Sequence, residues 1–296
     1  MGGKSLRFGS IIAMAGDFYA HLDDQAARDF AWAWPPMSGI TGWLGGDYRA
    51  MTLVGDSQSS VEGLHDHIHR EATGSQVGAL ATAIDAAESK HPMRRYLALA
   101  SQNICHFACQ NAGYSQVGNP ALALYRAYHR RAVEEARRAG EAGDRTALHA
   151  ALVVDAFGCH FLTDLFASGH IRTPRDVLGQ RFGITIGALV MSKRIHDEDN
   201  RDGLWVTTMN PAEGERRTGA AGTRVVWRAY GDDALESPNA KVHLAQIQES
   251  VRRSTAEVFG AYCAAHDGVE PPALPRAEEL VPAPLPPREG PGPGDV

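Results

Sequence analysis

His160 and Asp164 lie four residues apart in the stretch ALHAALVVDAFGCHFLTDLFAS, so on a helix they project from one face, one turn apart. Their neighbours are mostly Val, Leu, Phe and Ala, and burying an imidazole and a carboxylate in such company is costly unless both are satisfied. They can hydrogen-bond to each other, or they can bind a metal ion. Imidazole nitrogen and carboxylate oxygen with no thiolate beside them form the donor mix of hydrolytic zinc sites. Residues of the same types recur along the chain. GDFYAH carries Asp17 and His21 at helical spacing, VGDS carries Asp56, and NICHF carries His106. His170 follows Gly169, and IHDEDN carries His196 with Asp197, Glu198 and Asp199. These donors exceed the need of one cation. The expected ligand set is Asp17, His21, Asp56, His106, His160, Asp164, His170, His196 and Asp199. It would surround roughly two or three zinc ions, each taking three or four donors.

Clustered zinc suits displacement at phosphorus, because it acidifies a bound water, holds phosphoryl oxygens and steadies the leaving oxygen. The expected catalytic residues are Asp56, Asp164 and Arg172. Asp56 would orient or deprotonate the attacking water, and Arg172, just past His170, could hold a phosphate oxygen. A surface salt bridge is the other reading of Arg172, and a solvated helix end the other reading of His196. His65, His67 and His69 alternate in GLHDHIHREA and fit either ligation or an exposed face. His91, His129, His149, His243 and His266 read as helical surface positions.

Six helices would position these groups: 75–90, 93–111, one starting at Asn119-Pro120, 147–168, one from Pro174 to about 195, and 240–266. Asn119 is a good cap and Pro120 a good first-turn residue. The 147–168 helix is apolar nearly all round, which predicts a central, buried position. LWVTTMN and TRVVWRAYGD have strand-like content around a Gly-rich link and suggest a small hairpin. The fold class expected is mostly α, a helical bundle with that hairpin and long loops. Residues 1–268 read as one metal-binding catalytic domain. From Val269 on, VEPPALPRAEELVPAPLPPREGPGPGDV is rich in Pro and poor in large apolar groups, so 269–296 read as a disordered tail or a proline-motif ligand.

The 296 residues, 44% hydrophobic and 22% charged, are ordinary for a globular protein. A formal charge of -6 does not favour a nucleic-acid partner. Cys105, Cys109, Cys159 and Cys263 form no CxxC pair and read as reduced core residues. The apolar start is interrupted by Gly and Asp17 with no small-residue cleavage site, so the expected location is cytoplasmic, or outside by a route without a cleaved leader. By eye, no stretch reaches the roughly 18–20 apolar residues of a membrane span.

The string H-F-L-T-D-L-F-A-S-G-H resembles the signature of the zinc-dependent phospholipases C and the single-strand-specific zinc nucleases. That signature is His-aromatic-x-x-Asp followed by His six residues later, here His160, Phe161, Asp164 and His170. CHFLTDLFASGHIRTPR, with GDFYAH, NICHF and HDEDN, looks most like the bacterial phospholipase C branch of fluorescent pseudomonads and Legionella. The resemblance covers about residues 10–265. It implies a helical bundle of the zinc-dependent phospholipase C type, His106 and His196 as further zinc ligands, and Asp164 bridging two metals. The chain departs from that pattern twice. Secreted relatives bind zinc with a mature N-terminal amine, a role Asp17 and His21 would take here. The family also places a carboxylate four residues after its later histidine, where this chain has Asn200.

Trp32, Trp34 and Trp43 share a Gly/Pro-rich segment suited to a lipid interface or, equally, to a buried plug. A nuclease would instead stack bases in a positive groove. The expected function is therefore hydrolysis of a glycerophospholipid to diacylglycerol and a phosphorylated head group, with membrane-surface contact. The alternatives are a single-strand nuclease or nucleotidase on the same metals, or a scaffold reused for a biosynthetic step or as an interaction module.

Overall fold

The computed structural model describes residues 8–15, 22–30, 103–108, 119–182, 186–208, 216–219 and 222–285. Asp17, His21 and Asp56, the three tryptophans from Trp32 to Trp43, the alternating histidines, His91, Cys109 and the 75–90 helix lie outside them.

Two short helices come first, α1 (Phe8–Met14) and α2 (Asp24–Asp29). Asn119 then caps α3 (Pro120–Ala142), its side-chain oxygen accepting from the Leu122 amide at 2.9 Å. Gly143 ends α3 with φ of 64°, and Asp144 immediately caps α4 (Arg145–Asp164) through the Thr146 and Ala147 amides. So short a link forces α3 and α4 into an antiparallel pair. Ala132, Ala136 and Ala139 on α3 are small and buried, which lets the helices approach closely. α8 (Lys241–Asp267) packs on both. α4 is also long and apolar enough to span a membrane by length and composition, but most of its apolar surface is buried among its neighbours.

After α4 the chain turns and restarts as α5 (Ser168–Arg172), then α6 (Arg175–Phe182) and α7 (Ile186–Asp202). The 147–168 helix is thus broken at 165–167, and α7 runs on past the end expected near 195. The 93–111 helix is corrected over its described part. Asn103–His106 is a 3-10 turn and Ala108 lies outside any helix, where its amide donates to the His170 carbonyl at 3.1 Å.

The hairpin expectation is extended to a four-stranded antiparallel sheet. β1 (Leu204–Thr208), β2 (Arg216–Gly219), β3 (Gly222–Ala229) and β4 (Pro282–Pro284) run in the order β2-β3-β1-β4. Leu204 pairs with Ala229 and Val206 with Pro284. The described fold is mostly α, with this sheet beside the bundle.

β4 comes from the segment expected to be disordered, and residues 277–285 are a correction of that expectation. Ala277 and Leu280 are buried in the main core, and the Ala277 carbonyl accepts from Ser250 at 3.0 Å. Pro282 and Pro284 lack N–H groups, which an edge strand tolerates and a central strand does not. Leu280→Ala should cost about 2–5 kcal/mol in urea unfolding. An unchanged midpoint would mean that the tail contributes nothing to the core.

Candidate metal centre

Three elements bring the predicted histidines together. α4 carries His160 and Asp164 on one face, the 3-10 turn ends at His106, and α5 presents His170. Asp164 Oδ2 lies 2.7 Å from His106 Nδ1 and 3.3 Å from His160 Nε2, and those two nitrogens are 3.1 Å apart. A tetrahedral cation with bonds near 2.1 Å has ligands about 3.4 Å apart. The triangle is therefore of ligand-shell size, and no more than a small expansion would admit an ion. On the far side of the carboxylate, Asp164 Oδ1 lies 3.3 Å from His170 Nδ1.

The surroundings orient these groups. His160 Nδ1–H donates to the Ile12 carbonyl of α1 at 2.9 Å, which leaves the Nε2 lone pair facing Asp164 and His106. A backbone carbonyl behind a metal-facing histidine is the usual outer-shell arrangement. Phe161 stacks against Tyr128 and meets the rings of His106 and His160 edge-on, while Phe107 lies 4.7 Å from the His170 ring. His106 Nε2 and His170 Nδ1 are buried with no hydrogen-bond partner among the described residues. Of these, His170 Nδ1 lies beside the Asp164 carboxylate, and an orphaned imidazole nitrogen in that place fits a cation better than it fits a plain hydrogen-bond network.

Burial alone would raise the Asp164 pKa, but the imidazoles of His160, His170 and His106 together hold it well below the ordinary carboxylate range. Burial likewise opposes protonation of His106, and the Asp164 carboxylate beside it lifts its pKa well above the usual imidazole value.

Asp199 and Arg172 are placed differently from the sequence expectation. Asp199 is buried, and both its oxygens are taken by the Arg172 guanidinium: Oδ2 from Nε at 2.8 Å, and Oδ1 from Nη2. Here the Asp199 carboxylate, expected as a metal ligand, is held by a bidentate partner. Arg172 takes the salt-bridge reading rather than an open phosphate clamp. His196 reaches the edge of the cluster, its ring 5.0 Å from that of His170.

Two histidines read as surface positions are not. His243 is fully buried, accepting from Trp227 Nε1 at 3.1 Å and donating to the Tyr230 carbonyl at 3.0 Å, and burial pushes its pKa down to about 4. His129 belongs to a second polar cluster, with Asp155 at 2.8 Å and Glu257 at 3.1 Å. Neither is signalled by sequence spacing, since their partners lie on other elements. Cys105, Cys159 and Cys263 are free, the first two buried.

The chain matches no family model, no curated protein and no solved structure.

Proposed function

We propose that the chain is a metal-dependent phosphoesterase, with zinc held by His106, His160 and Asp164 and with His170 on the other carboxylate oxygen. The observation that carries this reading is the convergence of three donor atoms within 4.8 Å of one another in a buried, phenylalanine-lined place. The donor set is nitrogen and oxygen, which suits hydrolytic zinc. The resemblance in the His160–His170 stretch supports a helical bundle of the zinc-dependent phospholipase C type and, with it, a phospholipid as substrate.

The residues divide the work. His160 is held by the Ile12 carbonyl with its lone pair inward. Asp164 supplies the only carboxylate within the triangle and, with one oxygen on each side, separates the His170 end from the His106–His160 end. Phe107 and Phe161 shield this face from water and so strengthen its electrostatics. Bound zinc would supply an acidified water and positive charge for a phosphoryl oxygen.

The test is direct. The purified chain should hold zinc by elemental analysis and release phosphocholine or phosphoethanolamine from phospholipid vesicles, with a chelator abolishing release. Cleavage of single-stranded DNA instead would transfer the reading to a nuclease. Bound zinc with neither substrate touched would remove the hydrolytic reading.

A further inference from the structure

Asn200 is 2% exposed, and its side chain and backbone carbonyl together tie three elements. Its Oδ1 accepts from the Gly169 amide at 2.6 Å, at the first turn of α5, where Ser168 Oγ also lies 3.2 Å away. Its backbone carbonyl accepts from the Gly231 amide at 3.2 Å, just beyond β3. There is no spare room. A Cβ on Gly231 would lie 2.0 Å from Asn200 Oδ1, and one on Gly169 would lie 2.7 Å from His196 Cδ2.

These contacts fix which way the amide faces. Gly169 N–H can only donate, so the carbonyl oxygen must meet it. The NH2 group then points the other way, to His196 Nε2 at 3.3 Å. Since the amide nitrogen can only donate, His196 Nε2 accepts, and the ring proton sits on Nδ1, which donates to Asp197 Oδ1 at 3.1 Å. Each ring nitrogen of His196 is thus engaged by a neighbour on its own helix.

We propose that Asn200 is a positioning residue that takes His196 out of the metal-binding set, clamping its ring as a wall behind His170. The cation is then held by His106, His160 and Asp164, with His170, and the His196 end stays hydrogen-bonded. A carboxylate at position 200 would offer an acceptor instead of a donor to Nε2 and would leave that nitrogen free to take a proton or a cation. The amide cancels that possibility. The clamp also explains why His170 keeps its place: Gly169, one residue before it, is held by the same side chain.

This inference rests on the metal-centre reading, and two measurements on the full-length chain separate their failures. The first is cobalt or zinc affinity by competition with a chromophoric chelator. His196→Gln should bind within about threefold of wild type, whereas His160→Ala should lose more than the roughly 10–100-fold typical of outer-shell changes. Equal losses in both variants would make His196 a ligand and overturn the proposal. The second needs no metal. Long-range proton–nitrogen correlations of the metal-free chain, assigned with H196Q, should show His196 as the Nδ1–H tautomer. N200D keeps an acceptor for the Gly169 amide but withdraws the donor from His196, so the Nδ1–H pattern should be lost. An Nε2–H tautomer in wild type, or a pattern unchanged in N200D, overturns the clamp. If wild type binds no metal, the metal reading fails and the tautomer still decides the role of Asn200.

Discussion

Asp164→Asn should abolish the proposed binding of a divalent cation while leaving the protein folded. The carboxylate faces three imidazoles, at 2.7 Å from His106, 3.3 Å from His160 and 3.3 Å from His170. Asparagine fills the same volume but carries no charge, and its nitrogen arm cannot donate a lone pair. The variant should bind zinc at least about 100-fold more weakly, since even outer-shell changes cost roughly 10–100-fold. The proposed phosphoesterase activity should fall with it. Stability of the metal-free protein should change far less. Asp164 beside it raises the His106 pKa, and an imidazole that loses its counter-ion can shed a proton instead of remaining a buried bare charge. Chelator competition and urea unfolding of the metal-free form would be measured side by side. Wild-type zinc affinity in D164N would remove Asp164 from the centre.

The contrast between what the sequence reveals and what it hides follows from the range of the interactions. α3 is readable at its start because Asn119 and Pro120 act on their own backbone neighbours. His160 and Asp164 share a face because helical spacing demands it, and His170 comes within reach because the chain turns immediately after Asp164. Resemblance, not spacing, adds His106, whose distance along the chain carries no geometric signal. The 3-10 turn that holds His106 is set by a bond from Ala108 to His170, across elements, so local apolar spacing suggests an uninterrupted helix there. Composition misleads at 277–285 because a short edge strand needs few large side chains and tolerates proline. Asp199 and Arg172 are each plausible at a metal centre from sequence, and only the packing of α7 beside α5 shows that they neutralise each other.

Asp155→Ala should be strongly destabilising, because it dismantles a polar knot tying α3, α4 and α8. Asp155 is fully buried, and its Oδ1 accepts from His129 Nδ1 and from Ser254 Oγ, both at 2.8 Å. Tyr125 donates to Ser254 at 3.0 Å and stacks on the His129 ring, and His129 Nε2 donates to Glu257 at 3.1 Å. The Cys159 thiol, 3.9 Å from Asp155 Oδ2, stays protonated because burial raises its pKa. Burial alone would also discharge His129, but the hydrogen bonds and charges of Asp155 and Glu257 outweigh it and lift its pKa to about 9. A histidine with a folded-state value near 9 and an unfolded value near 6.5 stabilises the fold by about 2–3 kcal/mol at neutral pH. With the acceptor of the Ser254 hydroxyl lost as well, D155A should cost about 3–5 kcal/mol, the range for breaking a buried ion pair. The same linkage fixes the direction of the pH dependence. The His129 contribution is complete below about pH 6.5 and is lost as pH rises through about 9, because the folded state then gives up a proton that the unfolded chain has already released. The stability difference between wild type and His129→Gln, followed by urea unfolding, should therefore shrink by about 3 kcal/mol on going from mildly acidic to strongly alkaline buffer. A difference independent of pH would mean that the ring is neutral in the fold and that hydrogen bonding without charge holds the three helices together.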